Sequence, residues 1–530
     1  MNKRKMPKSL LAALLTLSIL FVQIPCSCYL FAASGEPAAV IDDCGSRLNV
    51  KVSNIASPTY QWQKADAADG AFENISGMTE KYYDIMPTDE GKYIRVMVND
   101  IASAPVGPIG KLIAFDLAKG KVTLGQTCTG KGLTGESISI GHQASNIYVI
   151  QQSNNASYTT NNIVFSGHFP TQEFDVTLDG VHMGRESYGT KTPEGSGNAT
   201  YDDGTIDIKA GSDAQKKVIL RLKGENIVRV IHYYTGNGVR STNSSLKITD
   251  INGDGKEDGG TIYIPKKVEA EDIDSFVSTN TNYNHWNAGI GGNDSIQDVV
   301  NLHIAGGTLQ VLTTLGDNCS AIGGGGNGYC KMTISGGNIV AHCNGTGAAI
   351  GGGIGWHSAG GESDILITGG TVYAKNHANI TRGDELVGGV AIGSGSSFVS
   401  SGSKGKVTIE GGTVEAYGTF GNGIGGGNSS SSTGGNAEIT ISGGKVTANT
   451  IGGGNSKKGA GGSATVNVSG TADVTLSGGI GGGKSDAGTG GAATIHVIAG
   501  ALNCSGVIGG GTGNGNGNGG AATVTVEGGK

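Results

Sequence analysis

The sequence predicts an all-β chain, a small β-sandwich followed by a parallel β-helix (solenoid), and three observations carry that prediction. First, a glycine pair or its nearest equivalent begins at Gly306, Gly336, Gly369, Gly411, Gly443, Gly470, Gly500 and Gly528. Second, an isoleucine that opens a glycine run recurs in step with it, at Ile290, Ile322, Ile350, Ile392, Ile424, Ile451, Ile480 and Ile508. Two landmarks keeping one order at a spacing of about thirty residues are the signature of a stacked repeat. Third, residues 46–110 are different in kind: tryptophan, tyrosine and charge appear and glycine thins out.

The N-terminus, residues 1–33, reads as a secretory signal peptide. A basic start, MNKRKMPKS, precedes an apolar run from Leu10 to Pro25, with small residues near Ala32 and Ala33 for cleavage. The run is short for a membrane span and contains Gln23 and Pro25. Cys26 and Cys28 raise a lipoprotein alternative, but Gln23-Ile24-Pro25 does not look like a lipobox. The mature chain is therefore expected to be secreted or held at a cell surface, with no transmembrane span after cleavage. Cleavage removes four cations and no acid, taking the net charge from −7 to −11. A mildly acidic chain without a basic stripe argues against nucleic acid as a partner.

Residues 46–110 read as an immunoglobulin-like sandwich. Tyr60-Gln61-Trp62-Gln63 is a strand with a core tryptophan, and Asp89-Glu90-Gly91-Lys92-Tyr93 leads into the alternating Ile94, Val96 and Val98. Asp-x-Gly-x-Tyr is a tyrosine-corner pattern. Arg95 stands where a disulfide-bonded domain would have cysteine, so the hydrophobic core around Trp62 has to hold the domain. The wording YQWQK…DGAFENISG…DEGKYIRVMV resembles the Ig-like modules of Gram-positive surface proteins. That resemblance implies a spacer or weak binder without a catalytic role.

Residues 111–287 are β-rich without the clean repeat, as in FDVTLDGVHM and KVILRLKGENIVRV. The order apolar strand, Leu-Lys-Gly-Glu-Asn, apolar strand resembles the first coils of carbohydrate-binding β-helix modules on bacterial surface proteins. It implies that residues 111–530 form one solenoid whose early coils cap the core; a separate sandwich over 111–265 is the competing reading.

Residues 288–530 carry the clean repeat. In AEITISGGKVTA (437–448), Ala437, Ile439 and Ile441 alternate with polar residues, and the apolar phase then shifts to Val446 and Ala448 across the glycines. Period two marks a strand with one buried face, and the glycine pair marks a corner. Coils stacked at about 4.8 Å give a rod on the order of 35 Å over seven intervals. Alternating phase kept across so many copies argues against a disordered glycine-rich tract. The period and the lack of regular aspartates argue against a calcium-binding nonapeptide roll. The chain stops at VEGGK, just inside a new repeat, so a fragment of a longer polypeptide is expected. The cysteines outside the leader lack metal-ligand spacing; a disulfide among Cys319, Cys330 and Cys343, or buried free thiols, both fit.

One stretch has a metal-binding mechanism. Asp250, Asn252 and Asp254 stand at positions 1, 3 and 5 of a loop with Gly255 at 6, the Lys256 carbonyl at 7 and Asp258 at 9. This matches the first part of a calcium loop, although Thr261 replaces the acid expected at 12. Calcium is thus the candidate cofactor, and an Asx-rich turn is the plain alternative. Asp202-Asp203 is an acidic pair without the surroundings of a β-helix polysaccharide hydrolase or lyase. Loop aromatics, Tyr283, His285 and Trp286 in NYNHWNAG and Trp356 and His357 in GIGWHSAGG, are the candidate ligand-contacting strip. The sequence therefore predicts a non-enzymatic adhesin or polysaccharide-binding protein whose partner is an envelope or host glycan. A structural stalk and a β-helix lyase or hydrolase are the alternatives.

Overall fold

The computed structural model describes residues 37–166, 172–184, 204–209, 216–235, 240, 243–254, 259–279, 288–292, 298–313, 320–355, 358–378, 380–382, 385–514 and 517–529. The chain is all-β, an Ig-like sandwich followed by a parallel β-helix, as the repeat and the Trp62 region predict.

The sandwich packs a three-stranded antiparallel sheet, β1 (Ala38–Cys44), β2 (Arg47–Ser53) and β5 (Tyr82–Asp84), on a second sheet. The second sheet orders β4 (Glu73–Asn74), β3 (Tyr60–Ala65), β6 (Tyr93–Val98) and β7 (Ile101–Ala102). Pairing of β1 with β2 starts the sandwich at Ala38, ahead of the composition change at 46. Trp62, Tyr83, Leu48, Val50, Ile94, Val96 and Val98 form its core. The Trp62 indole, fully buried, donates to the Glu80 carbonyl at 2.9 Å, so its one polar atom is satisfied. Asp89 is also fully buried, and the hydroxyl it accepts is that of Tyr83, at 2.6 Å, with the Met86 N–H at 2.9 Å.

The solenoid begins at once. On its first face Leu112–Asp116 pairs in parallel with Ile147–Gln151, and that strand with Gln172–Asp179. The ladder continues without a break through Lys216–Ile227 to Ala522–Val526, so residues 111–265 are not a separate sandwich. Strand Lys216–Ile227 bends through Gly224 and supplies both the first face and the start of the second. In later coils the glycine pair makes this bend, with φ of 81° at Gly307 and 85° at Gly337. Inward residues stack in columns: Ile365, Val407, Ile439, Val466 and Ile495 lie one above another and are fully buried. β-Branched residues fill such columns well because their single preferred rotamer suits a pleated, half-buried surface.

The isoleucine landmark is a face in its own right. Ile290–Gly291, Ile322–Gly323 and their successors to Ile508–Gly509 form two-residue strands, the third face, in a 14-stranded sheet. From Ile290 to Ile480 the isoleucine points inward, and from Gly291 to Gly481 the glycine lies so near the next coil that a side chain would meet its carbonyl. The polar loops after the third face are also laddered. Ser397, Ser429, Ser456 and Ser485 bridge in series. Each serine hydroxyl accepts the N–H three residues on and donates to a carbonyl of the preceding coil, as Ser429 does with Ser432 (2.9 Å) and Ser400 (2.6 Å). At the N-terminal end the antiparallel hairpin Thr127–Lys131/Ser137–Gly141 lays Ile138 and Ile140 on the core. Cys128, Cys330 and Cys343 are buried thiols, not disulfides.

The sandwich docks on the first face through polar contacts. Ser46 meets Thr177 at 2.8 Å, and Lys223 reaches Asp84 (3.5 Å) and Asp179 (3.2 Å). Arg47 pairs with both oxygens of Asp84 (2.7 and 3.1 Å), lies over the Tyr82 ring and donates to the Asn252 side chain at 3.0 Å.

Candidate functional site

Two places bring functional groups together. The first is the loop that follows Ser245–Asp250. Asp250 is fully buried; its Oδ1 accepts the Gly253 N–H at 2.5 Å, while its Oδ2 is buried without a hydrogen-bond partner. Burial, with Asp254 nearby, pushes the Asp250 carboxyl above the usual carboxylate range. Asn49 donates to the Asn252 carbonyl at 3.1 Å, and Arg47 occupies the Asn252 side-chain oxygen. The structure thus brings Asp250 to the loop's buried side and gives Asn252 to the interface with the sandwich. Lys256 and Asp258 lie outside the described residues, as do Tyr283, His285, Trp286, Trp356, His357 and the pair Asp202-Asp203.

The second place is the outer side of the second face, where no site was expected from the residues alone. Between Gly260–Ile264 and the next coil the chain leaves the solenoid and forms a short helix, α1 (Ile273–Thr279). Ile273, Phe276 and Val277 of α1 cover Val268, Leu312 and Val340. Gln310 fixes the start of the excursion by bonding the Val268 N–H (2.9 Å) and carbonyl (2.7 Å). Asn344 fixes α1 by donating to the Val277 carbonyl at 3.0 Å.

This arrangement brings Asp274 of α1 over two histidines from neighbouring coils. His342 sits in Asn338–Cys343 and His377 just follows Thr371–Asn376. His342 Nδ1 and His377 Nε2 share a hydrogen bond of 2.8 Å, and Asp274 Oδ1 is 3.6 Å from each. Lys375 holds the other Asp274 oxygen at 2.5 Å. Burial, then each other's proximity, lowers His342 to about 3; burial, then Lys375, lowers His377 to about 4. Both rings are therefore neutral near pH 7. Burial opposes charge on Asp274, but Lys375 outweighs it and holds the carboxyl below its ordinary value.

A run of rings extends from this cluster along the face. His342 stacks on Tyr373 with centroids 5.3 Å apart, and Tyr373 lies 5.8 Å from Tyr417 in the next coil. Both tyrosines are half-buried, and Lys375 and Glu415 flank them. The dispersal of histidines along the chain hid this cluster. The signal was in the repeat: aligning NIVAHC with TVYAKNH puts His342 opposite Lys375 and His377 two residues on, on the same side of the strand path.

No protein-family model matches the chain, and no curated protein or solved structure matches it significantly. Among the described residues, no helix is long and apolar enough to cross a membrane.

Proposed function

We propose that this chain is an exported, non-catalytic surface protein that binds polysaccharide, of envelope or host origin, along the outer side of its solenoid. The observation that carries this reading is the pair of half-buried rings, Tyr373 and Tyr417, on adjacent coils and diagonal to each other across Lys375 and Glu415. An aromatic ring offers an apolar face to a sugar ring and a polar tip to its hydroxyls. Weak contacts of this kind at more than one place on a stacked face would gain by avidity. The likeness of the Trp62 region to Gram-positive Ig-like modules, and of the early coils to carbohydrate-binding β-helices, points the same way. A leader at residues 1–33 supports export.

Calcium belongs to this proposal at the Asp250 loop, with Asp250, Asn252, Asp254, the Lys256 carbonyl and Asp258 as donors. The buried, unpartnered Asp250 Oδ2 favours a cation there; Arg47 would have to give up Asn252. The second reading, a stalk, is favoured by the uniform stacking of the later coils.

The test is retention of the purified chain on insoluble plant and cell-wall polysaccharides, in calcium and in EDTA, beside a Tyr373→Ala/Tyr417→Ala variant. Binding that the variant loses at least fivefold is the expected result. No retention on any polymer, or equal retention of the variant, would overturn the reading and leave the stalk. Asp250→Asn should abolish any calcium dependence.

A further inference from the structure

We infer that Asp274, His342 and His377 form a binding site for one divalent transition-metal ion, zinc by ligand type. The site is independent of the glycan reading and of the Asp250 loop.

Geometry is the first argument. Zinc bound to imidazole nitrogen and carboxylate oxygen at about 2.0–2.1 Å in a tetrahedron has ligand atoms about 3.3–3.4 Å apart. The three atoms here are separated by 2.8, 3.6 and 3.6 Å, distances that bracket that edge. All three lie within 4.8 Å of one another. An ion among them needs the two rings to part by about half an ångström and to turn their facing nitrogens from each other toward it.

Support of the ligands is the second. His342 has 3% of its surface exposed, and its ring is held between Tyr373 and His377. The backbone of His377 is tied to the preceding coil through the Cys343 carbonyl at 2.8 Å. Asp274 comes from a helix pinned by Asn344, and Lys375 turns the carboxylate so that Oδ1 faces the histidines. Contacts of this kind behind the ligating atoms orient metal ligands and hold them ready.

Charge and ligand type are the third. The ammonium of Lys375 opposes the added charge, and Asp274 Oδ1 supplies the compensating one. The exposed Asp274 leaves one side of the triangle to solvent, so a fourth position is open to water or a ligand oxygen. Two imidazoles and a carboxylate suit zinc and its first-row neighbours and exclude a preference for calcium.

The experiment uses the full chain, purified without a histidine tag, stripped with chelator and loaded with zinc or with cobalt as a spectroscopic probe. The expected result is one zinc per chain retained through desalting, and cobalt ligand-field bands of the intensity typical of four-coordinate sites. His377→Ala and Asp274→Asn should each weaken zinc binding at least tenfold while leaving far-ultraviolet circular dichroism unchanged. Millimolar calcium should not displace the ion. Equal zinc retention by either variant, no retained zinc in the parent chain, or displacement by calcium would each overturn the assignment. His342→Gln serves as a further variant that removes the buried ligand with little change in volume.

Discussion

Replacing Gly452 by alanine should open the solenoid at one coil, and the size of the effect follows from the third face. Gly452 has φ 159°, and a Cβ built on it lies 1.9 Å from the Gly481 carbonyl oxygen of the next coil. Contacts below 3.0 Å are essentially never tolerated, so that carbonyl has to retreat by about 1 Å. The retreat breaks or stretches the bond from Gly453 N–H to Gly481 (3.0 Å) and strains that from Ile451 N–H to Gly479 (3.1 Å). Each buried backbone group left unpaired costs about 1–3 kcal/mol. An unfavourable φ adds about 1–2 kcal/mol. The Gly453 N–H and the Gly481 carbonyl are two such groups, so the sum is about 3–8 kcal/mol. Stacked repeats open locally, so the readout is hydrogen exchange in peptides that cover Ile451–Gly452 and Ile480–Gly481. At tenfold per 1.36 kcal/mol, exchange there should quicken roughly 10²- to 10⁶-fold. Gly77→Ala is the control: its φ is 76° but nothing lies within 4 Å of the added carbon, so only the conformational cost of about 1–2 kcal/mol applies, and within the sandwich. Protection at Gly452 within threefold of the parent chain would refute the argument from coil contact.

Three further outcomes follow from named contacts. Ile439→Ala empties a fully buried position in a stacked column and should cost about 2–5 kcal/mol, read by urea denaturation. A double-mutant cycle between Arg47→Ala and Asn252→Ala should give a coupling of about 1 kcal/mol, because their 3.0 Å bond is part-buried and charge-assisted; zero coupling would mean the sandwich does not hold to the loop in solution. Docking should also fail in acid. Burial disfavours the Asp84 charge, but Arg47 and Lys223, the charged groups that face it, outweigh burial and hold the carboxyl below its ordinary value. A depressed acid stabilises the folded form above the unfolded value of about 3.9 and loses that contribution as pH falls through the folded value. Proteolysis of the junction near Gly107–Lys111 should therefore rise below about pH 4 in the parent chain, and Asp84→Asn should show the elevated rate already at pH 7.

The strands and the corner glycines were legible because both are local. Alternation in AEITI and the phase shift at Gly443 fix which residues face inward, and Ala437, Ile439 and Ile441 are buried as that pattern requires. The Ile-Gly landmark is a strand that the sequence could not show as one, since two residues are too few to show a period. The serine ladder was hidden for another reason. Ser429 and Ser456 sit in loops of different sequence, and only stacking reveals that their hydroxyls do the same thing. Long-range geometry was out of reach altogether. Nothing near Arg47 in sequence says that it meets Asn252, and Asp274 joins His342 and His377 across two coils and an excursion. The calcium pattern was visible as spacing, but the burial of Asp250 and the engagement of Asn252 belong to the folded chain.

The serine bridges have a consequence for how such a chain changes length. Removing residues 437–463 would place the Ala464–Val468 strand directly on Gly405–Ile409, with Val466 over Val407 and Val468 over Ile409. Val474 would then fall on Val414, Ile480 on Ile424 and Ser485 on Ser429, so all four rows close together. Excision of any stretch that is not a whole turn misaligns at least one row. Recombination between turns therefore trims or extends the rod in whole increments, much as rungs leave a rope ladder climbable, while the rims at either end stay as they were.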